Sequence, residues 1–226
     1  MFLKDILFPK ACFGCGFWGC YICPECQQKI IPAEKDTCVY CKKASYLGLT
    51  HPGCRRIYGL DGLLVLFYYN QIVKRIIKNI KYRLVQDAHS EFFSIVQQKT
   101  HAKLQQIKKL TDNNYYIQAV PLHKTKLNER GFNQADHIAL FLSNIISCLT
   151  TNVLIRKKQT LSQALIAEPK KRFTNMRGAF CMQIKTAPRI LIVDDVVTTG
   201  STMKEMARTL KRGGAERVLG FALAKG

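Results

Sequence analysis

The chain has 226 residues, 47% of them apolar, and carries 35 basic against 15 acidic residues for a formal net charge of +20. That length suits one medium domain plus a small module, and the apolar share supports a proper core. The charge favours polyanions, whether nucleic acid, phosphorylated ligands or an acidic membrane surface, against the plainer reading of a general basic bias. No apolar run approaches the ~20 residues of a membrane span. The opening stretch from Met1 to Pro9 is too short and interrupted for a signal peptide, so a cytoplasmic protein is expected.

Eight of the ten cysteines fall in the first 54 residues. Four pairs have two-residue gaps: Cys12/Cys15, Cys23/Cys26, Cys38/Cys41 and His51/Cys54. Each such knuckle points two ligands at one ion, and two knuckles complete a tetrahedral zinc site. The eight ligands predict two structural zinc ions. Consecutive pairing gives two ribbons and alternating pairing a cross-brace, and spacing leaves both open. Cys20 is a further candidate. Apolar residues are few here, so metal is expected to replace a core. Phe13, Phe17, Trp18, Tyr21 and Tyr40 either cover the metal or stack on bases, with covering favoured. Residues 1–58 therefore read as a zinc-binding module, and 59–226 as a second domain.

Leu63 to Tyr69 reads as a strand. Ile72, Val73, Ile76, Ile77 and Ile80 recur at helical spacing, with Lys74, Arg75, Lys78 and Lys81 on other faces. Another helix is predicted over about 88–110, then a strand from Tyr115 to Val120. Pro121-Leu122-His123-Lys124 follows at that strand's carboxyl end. It opens a loop dense in cations and amides, through Arg130 and Asn133, that suits a pyrophosphate group. His123 is a candidate general acid or base, or simply an exposed histidine. A helix follows from Gln134 to about Leu149, then a short strand at Val153–Arg156. The basic stretch from Lys157 to Gly178 reads as a lid, or as a solvated loop. A closed lid brings Lys171, Arg172 or Arg177 to a departing anion. A strand at Ala179–Ile184 comes next, and the chain closes on a strand at Arg217–Ala224.

The organising stretch runs from Arg189 to Thr202. Ile190-Leu191-Ile192-Val193 is a continuous apolar run, the mark of a parallel strand buried on both faces. Asp194 and Asp195 end it, and Thr198-Thr199-Gly200-Ser201 forms a hydroxyl-rich turn. A helix follows, with Thr202 to Glu205 fitting a capping box and Gly213 a stop. Open α/β sheets bind ligands beyond the carboxyl ends of their strands. The turn offers backbone N–H groups, the positive end of a helix dipole and hydroxyl donors, which make a phosphate cradle. The two acids can accept hydrogen bonds from sugar hydroxyls, so the unit reads as a ribose 5-phosphate site. A Walker B strand also ends in paired acids, but no Gly-x4-Gly-Lys-[Ser/Thr] loop accompanies it.

This stretch resembles the phosphoribosyl pyrophosphate (PRPP) loop of type I phosphoribosyltransferases. Taken with Cys12-x2-Cys15, Cys23-Pro24-Glu25-Cys26, Ile80-Lys81-Tyr82, Val120-Pro121-Leu122, Arg130-Gly131-Phe132-Asn133-Gln134, Thr160, Gln163, Arg172 and Asn175, the chain resembles the ComF family along its whole length. The resemblance implies an α/β fold with a mostly parallel sheet and helices on both faces, preceded by a zinc-ribbon-like module. It implies a PRPP-binding, Mg²⁺-dependent phosphoribosyltransferase with an unknown acceptor. It further implies a role in natural transformation, with single-stranded DNA, a competence helicase and other DNA-uptake proteins as expected partners, at the inner face of the cytoplasmic membrane. The alternative is a PRPP sensor or scaffold that does not turn over. Asp194 and Asp195 are the catalytic candidates. Val196, Val197, Thr198, Thr199, Gly200, Ser201 and Thr202, with Leu122, His123 and Lys124, are the candidate PRPP-binding residues. Arg172, Asn175 and Arg177 are the lid candidates, and Cys12, Cys15, Cys23, Cys26, Cys38, Cys41, His51 and Cys54 the metal ligands.

Overall fold

The computed structural model describes residues 10–82, 86–112, 114–159 and 174–226. Thr160, Gln163, Lys171 and Arg172 of the expected lid lie outside the described residues, as does the stretch 1–9. The elements in chain order are α1 (Pro24–Gln28), β1 (Gly62–Tyr68), α2 (Gln71–Tyr82), α3 (Gln86–Thr111), β2 (Tyr116–Ala119), α4 (Lys124–Arg130) and α5 (Gln134–Ile146). They continue with β3 (Thr150–Thr151), β4 (Leu154–Arg156), β5 (Phe180–Met182), β6 (Arg189–Val197), α6 (Ser201–Arg212) and β7 (Arg217–Lys225).

Five strands form one parallel sheet in the order β1-β7-β6-β2-β3. Side chains alternate faces along a strand, yet Ile190, Leu191, Ile192 and Val193 are all fully buried, so both faces of β6 are covered. The same holds for Val218 to Ala224 of β7. This is the doubly covered parallel sheet expected from the apolar run. It places the carboxyl ends of β2, β6 and β7 along one edge. Helix α2 buries Val73, Ile76, Ile77 and Ile80 of the predicted stripe and leaves Lys74, Arg75 and Lys78 exposed, with Lys81 half-buried. Helix α3 runs longer than expected and bends at Thr100, whose hydroxyl donates to the Val96 carbonyl at 2.7 Å.

Three elements differ from expectation. Helix α5 stops at Ile146 because Ser147 turns left-handed (φ 58°), which frees the chain to add β3 to the sheet. The strand at 154–156 does not join the sheet; it pairs antiparallel with β5. The cationic loop after Val120 contains a two-turn helix, α4, closed by left-handed Gly131.

The N-terminal segment's apolar side chains do not form a core of their own. Phe13, Ile22, Ile30, Val39 and Leu47 join the cluster that contains the sheet. The segment also extends β1 by isolated bridges, Pro32 to Phe67 and Leu49 to Gly62. The cysteine clusters therefore sit beside a shared core and do not stand in for one. Side chains add polar ties: Glu91 accepts from the Ile22 N–H at 2.8 Å, Arg75 donates to the Gly14 carbonyl at 3.1 Å, and Lys103 pairs with Asp36 at 2.7 Å.

Candidate functional site

The carboxyl end of β6 carries the acid pair into the turn Thr198–Gly200. Gly200 adopts φ 73° and ψ 13°, a left-handed conformation open to glycine at little strain, and it is the N-cap of α6. Being glycine, the N-cap has no side chain to cap the helix. The N–H groups of its first turn and the positive end of its dipole are therefore offered to the space in front. Thr199 Oγ1 lies 2.7 Å from Ser201 Oγ and accepts from the Ser201 N–H at 3.4 Å, so the hydroxyls are fixed within the turn. The expected capping box does not form. Glu205 turns inward instead, accepts from the Gly178 N–H at 2.7 Å and binds Arg208 through both carboxylate oxygens. A capping glutamate has to reach backwards, and here the Gly178 amide and Arg208 satisfy it.

A cavity of about 500 Å³ opens in front of this turn. Of the candidate residues, Asp194, Asp195, Val196, Val197, Thr198, Thr199, Gly200, Ser201, Thr202 and Leu122 line it. Lys74, Lys78 and Lys81 reach it from α2, Lys126 and Arg130 from α4, and Arg156 from β4. His123 and Lys124 are not among the lining residues. His123 is the N-cap of α4, where its Nδ1 accepts from the Thr125 N–H. Asn175 and Arg177 also fall outside the lining, and Arg177 is exposed.

The electrostatics are arranged around the two acids. Asp195 is buried and forms an ion pair with Lys81. Burial works against the Lys81 charge, but the Asp195 carboxylate wins and holds its pKa above the usual value. Asp194 sits on the cavity floor and accepts from the Asp195 N–H at 2.9 Å. Loss of surrounding water, and then the neighbouring Asp195 charge, push its pKa well above the ordinary carboxylate range. Burial lowers the Arg156 pKa, partly offset by Asp194. Six cations facing two acids suit a polyanion that also carries hydroxyls.

The Arg-Gly-Phe-Asn-Gln run is a hinge between α4 and α5. Arg130 ends one helix on the cavity. Asn133 starts the next, its Oδ1 accepting from the Ala135 N–H at 3.3 Å and its Nδ2 donating to the Val120 carbonyl at 3.1 Å. One asparagine thus fixes helix α5 to the end of β2. Lys81 and Lys126 come from the two cationic segments the sequence singled out, the α2 stripe and the loop after Val120, whereas Arg156 was missed, because the antiparallel β4–β5 pair that delivers it left no local signal.

The metal candidates resolve into consecutive pairs. Cys12, Cys15, Cys23 and Cys26 bring their ligand atoms within 4.8 Å of one another, and so do Cys38, Cys41, His51 and Cys54. Cys20 is outside both sets. Two tetrads of soft thiolates, one with an imidazole, fit tetrahedral zinc. His51 Nδ1 faces Cys41 Sγ at 3.3 Å, and Nε2 lies 3.0 Å from the Ala44 carbonyl, which fixes the ring so that Nδ1 is the ligand atom. Burial opposes ionisation of Cys12 and Cys38. The N–H groups of the knuckles outweigh it and lower their pKa values to about 7 and about 6. Burial, followed by the thiols of Cys23, Cys12 and Cys15, raises Cys26. A cation supplies the charge such a cluster lacks. Phe13 is buried against Tyr21, but Phe17 and Trp18 are each 65% exposed and do not cover the metal as expected.

Residues 141–224 match the Phosphoribosyl transferase domain family. The chain is 34% identical over 110 residues to DNA utilization protein YhgH of Escherichia coli (strain K12), 48% of each chain. It is 32% identical over 111 residues to Competence protein F of Haemophilus influenzae. The chain spans about half the length of these two relatives. Competence protein ComFC of Bacillus subtilis is 25% identical, over 90% of this chain and 84% of that protein. The chain is thus similar to competence and DNA-utilization proteins, and its similarity to the Bacillus protein extends over most of its length. No helix among the described residues is long and apolar enough to cross a membrane.

Proposed function

We propose that the chain binds PRPP with Mg²⁺ and transfers phosphoribosyl groups, or senses PRPP, within DNA uptake. The observation that carries this reading is the uncapped, Gly200-led turn behind two adjacent acids in a cavity ringed by six cations. The 5-phosphate sits on the amides and hydroxyls of Thr198–Thr202, the ribose hydroxyls on Asp194 and Asp195, and the pyrophosphate among Lys81, Lys126, Arg130 and Arg156. Two adjacent carboxylates are too few oxygens for a protein cage, so they suit an ion that arrives on the ligand's own phosphates. When bound, that ion neutralises the leaving pyrophosphate. The side chains themselves position the ribose and stabilise charge, with no protein nucleophile required. Zinc at the two tetrads is structural in this reading.

Calorimetry with PRPP and Mg²⁺, alongside an assay for pyrophosphate release, tests it. Binding is expected, and Asp194→Ala with Asp195→Ala abolishes turnover. A double variant that keeps the wild-type rate overturns the transferase reading, and binding without release on any nitrogen acceptor favours the sensor.

A second reading has its own observation. Phe17 and Trp18 stand exposed on a strongly basic protein, as in surfaces that stack single-stranded bases. Trp18 is the one tryptophan, so its fluorescence reports oligonucleotide binding directly. Quenching that weakens steeply with salt supports single-stranded DNA as a partner, and salt-independent quenching counts against the basic surface.

A further inference from the structure

The second metal tetrad lies against the phosphate turn. Between its ligands Cys38 and Cys41 stand Val39 and Tyr40, so an ion on those two thiolates fixes both side chains from either end. Val39 Cγ2 is 3.5 Å from the point where a Cβ on Gly200 would sit. Tyr40 carries the Lys204 ammonium 5.2 Å from its ring centroid and the Arg56 guanidinium 4.6 Å away. Its hydroxyl accepts from the Leu60 N–H at 2.9 Å, which anchors the ring to the start of the sheet. Lys204 belongs to the first turn of α6 and its Nζ reaches the Thr199 carbonyl at 3.4 Å. Lys42 Nζ donates to the Val39 carbonyl at 2.9 Å and steadies the knuckle. The path from metal to turn is thus one residue long through Val39 and two through Tyr40 and Lys204. The first tetrad makes its polar ties elsewhere, to α2 and α3 through Arg75, Asn79 and Glu91.

We propose that Val39 and Tyr40 are positioning residues for the phosphate turn, and that metal at Cys38, Cys41, His51 and Cys54 sets the turn's affinity for a phosphate monoester. The affinity part rests on the reading of Thr198–Thr202 as a phosphate site; the mechanical part does not. The Gly200 carbonyl accepts from the Lys204 N–H at 2.9 Å, but glycine's φ is otherwise free to visit many conformations. Packing from behind is what selects the one that aims the α6 amides forward. Loss of the ion frees the knuckle, removes that packing and lets the turn sample conformations that do not bind.

The test uses the full chain in three forms: wild type, Tyr40→Leu, which keeps all eight metal ligands, and Cys54→Ser, which removes one ligand of the second tetrad. Three quantities are read: zinc per chain, amide exchange across 198–204, and binding of ribose 5-phosphate. Tyr40→Leu is expected to keep its zinc, to speed exchange in 198–204 and to weaken binding by about tenfold. Cys54→Ser is expected to lose an ion and to show the same two changes more strongly. Zinc loss with wild-type exchange and affinity overturns the proposal, as does a Tyr40→Leu protein with wild-type exchange. If Cys54→Ser does not fold, Tyr40→Leu decides alone. If the wild type binds no ribose 5-phosphate, the phosphate reading fails, and the exchange rates still decide the coupling.

Discussion

Replacing Gly200 by alanine separates backbone strain from steric conflict. The glycine has φ 73°, and the nearest atoms to an added Cβ are Val39 Cγ2 at 3.5 Å, Lys204 Cε at 3.8 Å and Val197 Cγ1 at 3.9 Å. Those are ordinary contacts, so the substitution meets no wall. Its penalty is conformational, about 1–2 kcal/mol for an L-residue held left-handed. At about 2–4 °C per kcal/mol for a chain of this size, the melting temperature falls by about 2–8 °C. Gly48 is the matched control. Its φ is 71°, yet its Cβ would collide with the Leu63 carbonyl oxygen, a backbone atom of β1. Gly48→Ala therefore adds overpacking of about 1–3 kcal/mol to the same strain, and destabilises more than Gly200→Ala. Ribose 5-phosphate binding discriminates in the opposite sense: Gly200→Ala weakens it tenfold or more, whereas Gly48→Ala, remote from the cavity lining, spares it. Differential scanning calorimetry and titration calorimetry on both variants supply the numbers. Equal destabilisation by the two, or unchanged binding in Gly200→Ala, refutes the reasoning.

Asp194 makes stability depend on pH. Its pKa is raised in the folded protein, so folding favours its proton, and stability falls as pH rises from the ordinary carboxylate value near 3.8 through the raised one. Asp194→Asn is expected to melt higher than wild type at pH 8, with the gap closing towards pH 4; parallel melting curves would show that the carboxylate is not strained. Elemental analysis is expected to give two zinc ions per chain and to give the same for Cys20→Ser, which stands outside both tetrads. A lost ion in that variant would move Cys20 into a ligand set. Glu205→Ala leaves the Gly178 N–H and Arg208 without their buried acceptor, and a loss of about 1–3 kcal/mol is expected in chemical denaturation. A change under 0.5 kcal/mol would mean that water replaces the carboxylate.

Local pattern carried the parallel sheet, the acid pair at the end of β6 and the amphipathic stripe of α2, because each is written in neighbouring residues. Asn133 as a helix start was legible for the same reason. Pairing of the metal knuckles was not, since consecutive and alternating arrangements have identical spacings. Glu205 illustrates a local signal overridden: a capping box needs nothing beyond four residues, but the Gly178 amide and Arg208 offered the carboxylate better partners. Lys81 on Asp195, Arg156 over the cavity and Tyr40 beneath Lys204 all depend on contacts between distant segments. No window of sequence contains both partners of any of these.

The two tetrads and the sheet make opposite demands on an emerging chain. Each tetrad closes over a short stretch, from Cys12 to Cys26 and from Cys38 to Cys54. The sheet is the reverse: β7 lies between β1 and β6, and Gly62 finds its partner only at Leu219. A growing polypeptide whose tetrads take metal can thus close both soon after residue 54 leaves the ribosome. Strand β1 meanwhile waits, one edge unpaired, for a neighbour made more than a hundred residues later. Early metal capture gives that waiting strand partners at Pro32 and Leu49 and shields apolar surface that would otherwise attract other chains. On the proposal that zinc fills the tetrads, its supply during synthesis, and not only in the finished protein, is expected to set yield.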